Sequence, residues 1–416
     1  MESKEKSLHR NVILTGLTSF FTDVSTEMIY PLIQAFVSTI LKTQAALIGP
    51  ILGIIEGVAE STASILKLFS GYISDKIRKR KLLAIVGYAF SAFSKALFFI
   101  PHWVSILSGR ILDRVGKGIR TSPRDALISE SVPKELKGKA FGFQRGMDFA
   151  GAFLGTLISV LLVKYVFKDI DRYASPGAFF PVFAISIVPA FIAVIFLFFT
   201  TETQKSDSKP SFPTLNLKKY NRSLQLFFIA QFIFTLGNSS NQFLFLRSTD
   251  IGYVVSDVII MYLVFNLTTT ITATYFGSLS DKIGRKKLLV AGYFLYGVVY
   301  LSFGFIPRAH KWLLWPAWTL YGIYYAMTEG TEKAFISDLS PKDSVATALG
   351  FYQMIVGVTL LPASIIAGIM YSIYKPLPFI FGGLMAIVNC LIIMVGIRER
   401  KIKFIDEKEK FHYLVK

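Results

Sequence analysis

The chain has 416 residues, of which 53% are hydrophobic and only 17% charged, a balance that excludes an ordinary soluble domain. Lys and Arg number 45 against 27 Asp and Glu, a net charge of +18. That surplus would suggest nucleic acid in a soluble protein, but here it sits in alternate loops between apolar runs. The single cysteine, Cys390, excludes an internal disulfide framework and a cysteine-based metal site.

Apolar runs of the length that crosses a bilayer, about 18–25 residues, recur along nearly the whole sequence. The expected spans are 11–34, 46–70, 82–100, 103–126, 141–164, 178–200, 223–246, 253–276, 288–306, 312–336, 345–371 and 376–397. The fold class is therefore an all-α integral membrane protein with twelve transmembrane helices. Basic residues collect at the N-terminus, after spans 2, 4 and 8, between spans 6 and 7, and in the tail. The positive-inside rule then puts both termini and the central linker in the cytoplasm of a plasma-membrane protein. The N-terminus is polar and carries no cleavable signal. Residues 201–222, polar with two prolines, read as a linker. It joins an N-terminal six-helix bundle, 1–200, to a C-terminal one, 223–397, with a cytoplasmic tail at 398–416.

Ionisable residues inside spans are costly and mark function, and they are concentrated in the first half. Span 1 carries Asp23 and Glu27, four residues apart and so on one helix face. Two close carboxylates in a low-dielectric site do not both ionise easily, which suits a proton carrier; the alternative is permanent pairing with arginines of span 4. Pro31 follows and is placed to kink the helix. Glu56 and Glu60 repeat the four-residue spacing in span 2, where a second protonation or cation-binding role competes with pairing to Lys67, Lys95 or span 4.

Span 4 sets Arg110, Asp113, Arg114, Lys117 and Arg124 on one broad face. Arg110 and Arg114 fall near mid-membrane, positioned to hold a span 1 carboxylate ionised; Arg120 and Arg124 serve as interface anchors or as an anion site. In span 5, Gln144, Arg145 and Asp148 lie on the inner, cytoplasmic part, with Arg145 and Asp148 a gate or structural pair. Span 7 replaces the acids of span 1 with Asn238, Ser239, Ser240, Asn241 and Gln242, a cluster suited to unwinding the helix and lining a cavity. In span 10, Tyr324 and Glu329 complete the candidate substrate cavity. Phe232, Phe234, Phe243, Phe245, Tyr321, Tyr325 and Tyr352 supply aromatic walls or plain packing.

Two segments nearly repeat. Gly71 to Lys81 recurs as Gly277 to Lys287, and Ala126 to Lys134 as Ala334 to Lys342, the latter at an offset of 208. Several matches in register mark a duplication, the signature of a transporter built from two related halves. There is no phosphate-binding Gly-Lys-Ser/Thr loop to indicate drive by ATP. No nucleophile–base spacing suggests an enzyme, no histidine cluster suggests a metal, and no cofactor is implied.

The repeated motif resembles that of the major facilitator superfamily, Gly-x-Leu-Ala/Ser-Asp-x-x-Gly-basic-basic. Gly277, Asp281, Gly284 and Arg285 fit it throughout; Gly71 and Asp75 fit, with Arg78 in the second glycine's place. Arg114 and Gly118 match the Arg-x-x-x-Gly pattern of span 4. Gly146, Gly151 and Gly155 partly match the antiporter pattern of span 5, and 113–125 is similar to a prokaryotic, drug–proton antiporter-like efflux subgroup. The resemblance implies alternating access; the buried charges themselves point to Asp23, Glu27, Arg110, Asp113 and Arg114 in proton coupling, and Arg114 also carries the family pattern. It implies a gating latch in the repeated motif, in which the glycine permits close packing and the aspartate meets a neighbouring helix N-terminus. The expected activity is proton-coupled efflux of a small drug-like or metabolite molecule by a monomer. An uptake symporter, an exporter of organic anions or metal chelates, and a non-transporting membrane sensor are the alternatives.

Overall fold

The computed structural model describes residues 9–77, 79–133, 136–202, 220–341 and 345–397, apart from the side chains of Leu68, Gly71, Asp75 and Ala346. Arg78, most of the linker and the 398–416 tail lie outside the described residues, as do the side chains of Gly71 and Asp75.

Fourteen α-helices occur among the described residues: α1 (Arg10–Ile29), α2 (Ile33–Ile40), α3 (Ile48–Ile77), α4 (Arg80–Phe93), α5 (Trp103–Glu130), α6 (Lys137–Leu161), α7 (Phe180–Phe198), α8 (Arg222–Gly237), α9 (Asn241–Ile251), α10 (Val255–Ile283), α11 (Arg285–Phe305), α12 (Leu314–Leu339), α13 (Val345–Ile373) and α14 (Leu377–Leu391). They fall on the twelve expected spans, because spans 1 and 7 are each broken in two. Pro31, which cannot donate a backbone hydrogen bond, sits in the 3₁₀ turn Tyr30–Leu32 between α1 and α2. The polar residues Asn238–Ser240 separate α8 from α9, and the Ser240 side chain caps α9 by accepting from the Gln242 amide. The two breaks are equivalent: α9 begins at 241 and α2 at 33, the same offset of 208 found in the sequence repeat.

Packing repeats the same scheme twice. In the first bundle α1 lies on α6 and α7, α3 on α5, and α4 on α5 and α7; in the second α8 lies on α13 and α14, α10 on α12, and α11 on α12 and α14. Among the described residues, eight of the spans are long and apolar enough to cross a membrane by length and composition. The remaining four are the two broken spans, α5 with its charges, and α12. The chain is thus all-α, with two pseudo-symmetric six-helix bundles.

The bundles meet along α3 with α13, α6 with α10, and α2 with α9. The α3–α13 seam is backbone-close. A Cβ on Gly53 would lie 2.2 Å from the Ser364 carbonyl oxygen, and one on Gly357 only 1.9 Å from Ser64 Cβ, so small residues set the approach.

The repeated motif lies beyond the expected ends of spans 2 and 8, at 70 and 276, yet it is helical: Gly71 and Asp75 lie within α3, and Gly277 and Asp281 within α10. α3 ends at Ile77 and α4 begins at Arg80, while α10 gives way to α11 at Gly284, whose φ of +97° is open to glycine and unfavourable for other residues.

Candidate functional site

Below, the basic end is the end of the molecule carrying the start of α1 and the turn at Gly284; the far end carries α2 and α9.

A buried ion-pair ladder joins α3 to α5. Arg110 grips Glu56 bidentately, Nε to Oε1 and Nη2 to Oε2, both 2.9 Å, with the two residues 2% and 1% exposed. One turn along, Arg114 Nε lies 2.9 Å from Glu60 Oε1, too oblique for a hydrogen bond, and Arg110 Nη2 reaches the same oxygen at 3.6 Å. The i, i+4 spacing on both helices makes this two-rung match possible. Arg110 and Arg114 therefore neutralise the carboxylates of α3 rather than those of span 1, and Glu56 is a buried structural partner rather than a cavity wall. Asp113 sits 3.7 Å from Arg114 Nη1, and one of its oxygens has no hydrogen-bond partner among the described residues.

This leaves the span 1 acids without arginine partners among the described residues. Asp23 has no ion pair within 4 Å among the described residues. It faces a cavity of about 320 Å³ toward the basic end, walled by α1, α3, α4, α5, α6, α12 and α13. Glu27, one turn toward the far end, accepts a 3.2 Å hydrogen bond from Tyr262 Oη of α10, in the other bundle.

Further bonds close the far end between the bundles. Ser240 Oγ donates to Glu56 Oε2 at 3.3 Å and Gln242 Nε2 to the Tyr30 carbonyl at 2.9 Å; midway along the seam Ser61 Oγ donates to the Gly357 carbonyl at 2.6 Å. Asp171 receives the Ser256 amide at 2.7 Å and its hydroxyl at 2.8 Å. Toward the basic end the cross-bundle ion pair is Arg145 Nη2 with Glu329 Oε1 at 2.7 Å, on half-exposed side chains at the cavity. Asp148 takes a 3.1 Å hydrogen bond from Gln144 and lies 3.9 Å from Arg145.

The antiporter-like glycines divide. A Cβ on Gly151 or Gly155 would come within 2.4 Å of the Phe20 or Val24 carbonyl oxygen, so these two let α6 lie against α1 beside Asp23; a Cβ on Gly146 would meet nothing within 4 Å among the described residues.

Other expected cavity residues go elsewhere. Asn238 and Asn241 accept bonds from Tyr296 and Tyr321 at 3.3 and 2.9 Å. Tyr324 is buried among Tyr296, Tyr321 and Tyr325, with ring centroids 4.9–5.7 Å apart. Phe234, Phe243, Phe245 and Tyr352 are likewise buried and Phe232 is exposed, so these aromatics fill the second bundle and its outer surface rather than furnish walls of the Asp23 cavity.

The second motif copy also behaves differently from expectation. A Cβ built on Gly277 would meet nothing within 4 Å among the described residues, so no close helix contact depends on this glycine. Asp281 pairs with Arg285 at 3.2 Å, and Arg285 also binds Asp338 at the end of α12. Among the described residues these pairs tie the motif within its own bundle, and none joins it to the first.

Tyr262 carries no sign along the chain of its bond to Glu27, and the 238–242 cluster does not mark Ser240 as the partner of Glu56. Glu332, outside the expected site, is a carboxylate held by Tyr293 at 2.6 Å and by Tyr352 inside the second bundle.

A model of the Major Facilitator Superfamily matches residues 15–246 and again 227–415. The chain belongs to the Major Facilitator Superfamily. It is 38% identical over 398 residues to the uncharacterized MFS-type transporter MJ1317 of Methanocaldococcus jannaschii, covering 94% of this chain and 96% of that one. It is 23% identical over 353 residues to the multi-drug resistance efflux pump PmrA of Streptococcus pneumoniae, covering 83% and 85%. Among solved structures, a D-xylose-proton symporter superposes with a TM-score of 0.77 at 15% identity, covering 94% of this chain and 98% of the other. The POT family transporter PepTSo superposes at 0.75 and 13% identity, covering 94% and 98%. These two likenesses establish the shared fold. The protein is a multi-pass membrane transporter of a small molecule, not an enzyme.

Proposed function

We propose that this superfamily member is a proton-coupled secondary transporter, in which Asp23 carries the proton and the Asp23 cavity receives the substrate from the cytoplasm. The carrying observation is the contrast within the first bundle: Arg110 and Arg114 are committed to Glu56 and Glu60, while Asp23 faces the cavity unpaired among the described residues. A carboxylate in that position can take up and release a proton without dismantling a salt bridge. Glu27, one turn away and bonded to Tyr262, relays its occupancy to the far-end closure.

In this reading the halves 1–200 and 223–397 rock about the linker 201–222 as a monomer in the plasma membrane, both termini cytoplasmic. The basic end faces the cytoplasm because the positive loops lie there. Breaking the far-end bonds and closing the Arg145 side would present the cavity to the exterior. Export is the preferred direction, supported by the likeness to an efflux pump.

A second reading, uptake by proton symport, is favoured by the excess of cations around the cavity. An anion held there and a proton on Asp23 would each strengthen the other's binding, so the two would travel together.

Proteoliposomes containing the full chain and a trapped pH dye decide between the two, with citrate, glucose 6-phosphate, ethidium and tetraphenylphosphonium added outside as probes. With an acidic interior imposed, exchange alkalinises the lumen as a probe enters; symport acidifies it. No protein-dependent pH change with any transported probe would overturn proton coupling.

A further inference from the structure

The charges of the Asp23 cavity do not balance. Its walls bear six cations, Lys67, Lys117, Arg120, Arg124, Arg145 and Lys333, against Asp23, Asp148 and Glu329. Several are committed: Arg124 to Asp125 at 2.8 Å, Arg145 and Lys333 to Glu329 at 2.7 and 3.6 Å, and Arg120 over the Tyr88 ring with a bond to Ser91. Counting Asp125 behind the wall, a surplus of two positive charges remains. Lys67 of α3 and Lys117 of α5 have no ion pair within 4 Å among the described residues.

Membrane topology accounts for basic residues at helix ends, where they meet headgroups. It does not account for these two. Lys117 lies thirteen residues before the end of α5 and Lys67 ten before the end of α3, about 20 and 15 Å inward at 1.5 Å per residue. An ammonium that far from the helix end, between bundles, is costly unless something neutralises it.

We propose that the substrate is a small organic anion bearing a phosphate or carboxylate group, held by Lys67 and Lys117 with Arg120 behind them. The proposal rests on the reading of this cavity as the substrate site, and names its substrate class. Ammonium groups from two different helices of one bundle converge on an oxyanion as charge-assisted donors. A volume of about 320 Å³ suits a ligand of metabolite size. An organic cation, the charge type of many exported drugs, would meet this surplus as repulsion.

The test measures thermal unfolding of the detergent-solubilised full chain with citrate, glucose 6-phosphate or tetraphenylphosphonium, against sodium chloride of equal ionic strength. At least one anion raises the midpoint in a saturable way and the cation does not. K67Q and K117Q each weaken that anion roughly tenfold, and K117R restores it, which separates lost charge from misfolding. Stabilisation by the cation alone, by chloride equally, or by anions undiminished in both glutamine variants would overturn the proposal. Because binding is read without a gradient, an anion that binds with no luminal pH response sinks proton coupling and leaves the substrate class standing; the reverse result sinks the substrate class alone.

Discussion

Tyr262 Oη of α10 donates a 3.2 Å hydrogen bond to Glu27 Oε2 of α1, tying the second bundle to the first one helical turn from Asp23. The pair belongs to the far-end closure and touches the proposed proton site through the shared helix.

Removing that hydroxyl loosens the closure. A buried hydrogen bond of this kind contributes about 0.5–1.5 kcal/mol, and more when one partner is charged, so Y262F shifts the balance of open and closed states several-fold. In a C390A background, a cysteine replacing Gln353 in the cavity wall reports the change. Its labelling by an impermeant maleimide from the basic end slows several-fold in Y262F. An unchanged rate would remove Tyr262 from the closure.

Neutralising Asp23 separates binding from coupling. D23N, nearly isosteric, is expected to abolish the luminal pH response and gradient-driven accumulation while leaving substrate exchange at equal pH. E60Q, which disturbs the ladder instead, retains the pH response. Full gradient-driven transport in D23N would rule Asp23 out as carrier.

The Arg110–Glu56 pair is a matter of stability. Deleting one partner of a buried, bidentate pair leaves the other charge uncompensated, at a cost of about 3–5 kcal/mol. R110Q and E56Q should therefore each unfold markedly earlier in thermal melts, whereas the doubly neutral E56Q/R110Q recovers much of the loss. Additive effects in that double-mutant cycle would show the pair to be uncoupled.

The glycines of α6 give two opposite signs. G155A forces a methyl against the Val24 carbonyl oxygen and costs about 1–3 kcal/mol by overpacking. G146A meets open space and stabilises the helix by up to about 1 kcal/mol. Unfolding midpoints of the two variants on either side of the parent check this; equal shifts would contradict the close α1–α6 contact.

Hydrophobic runs, the duplication and the motif residues made the all-α, two-bundle fold legible, since each is a local pattern. The breaks were legible for the same reason: Pro31 cannot donate within a helix, and 238–242 offers five polar side chains in succession. Partner choice was not. Asp23, Glu27, Glu56 and Glu60 look alike along the chain, and only the crossing of α3 with α5 decides that the last two receive the arginines. The aromatic residues carried no hint of which would fill a core and which face outward. Nor did the motif aspartate at 281 reveal that its arginine, Arg285, would turn to Asp338 of its own bundle.

The charge ladder has a consequence for how the chain enters the membrane. α5 carries eight ionisable side chains, each of which costs roughly 2.5–3.5 kcal/mol near the centre of a helix partitioning alone. It is therefore a poor passenger by itself. Its neutralising partners, Glu56 and Glu60, lie on α3, already synthesised when α5 emerges, so α3 must be held at the insertion site until α5 arrives. Replacing both glutamates should make α5 fail to integrate, measurable by reporter fusions placed after residue 130. The residues that leave Asp23 free in the finished transporter would then also set the order in which its helices leave the translocation machinery.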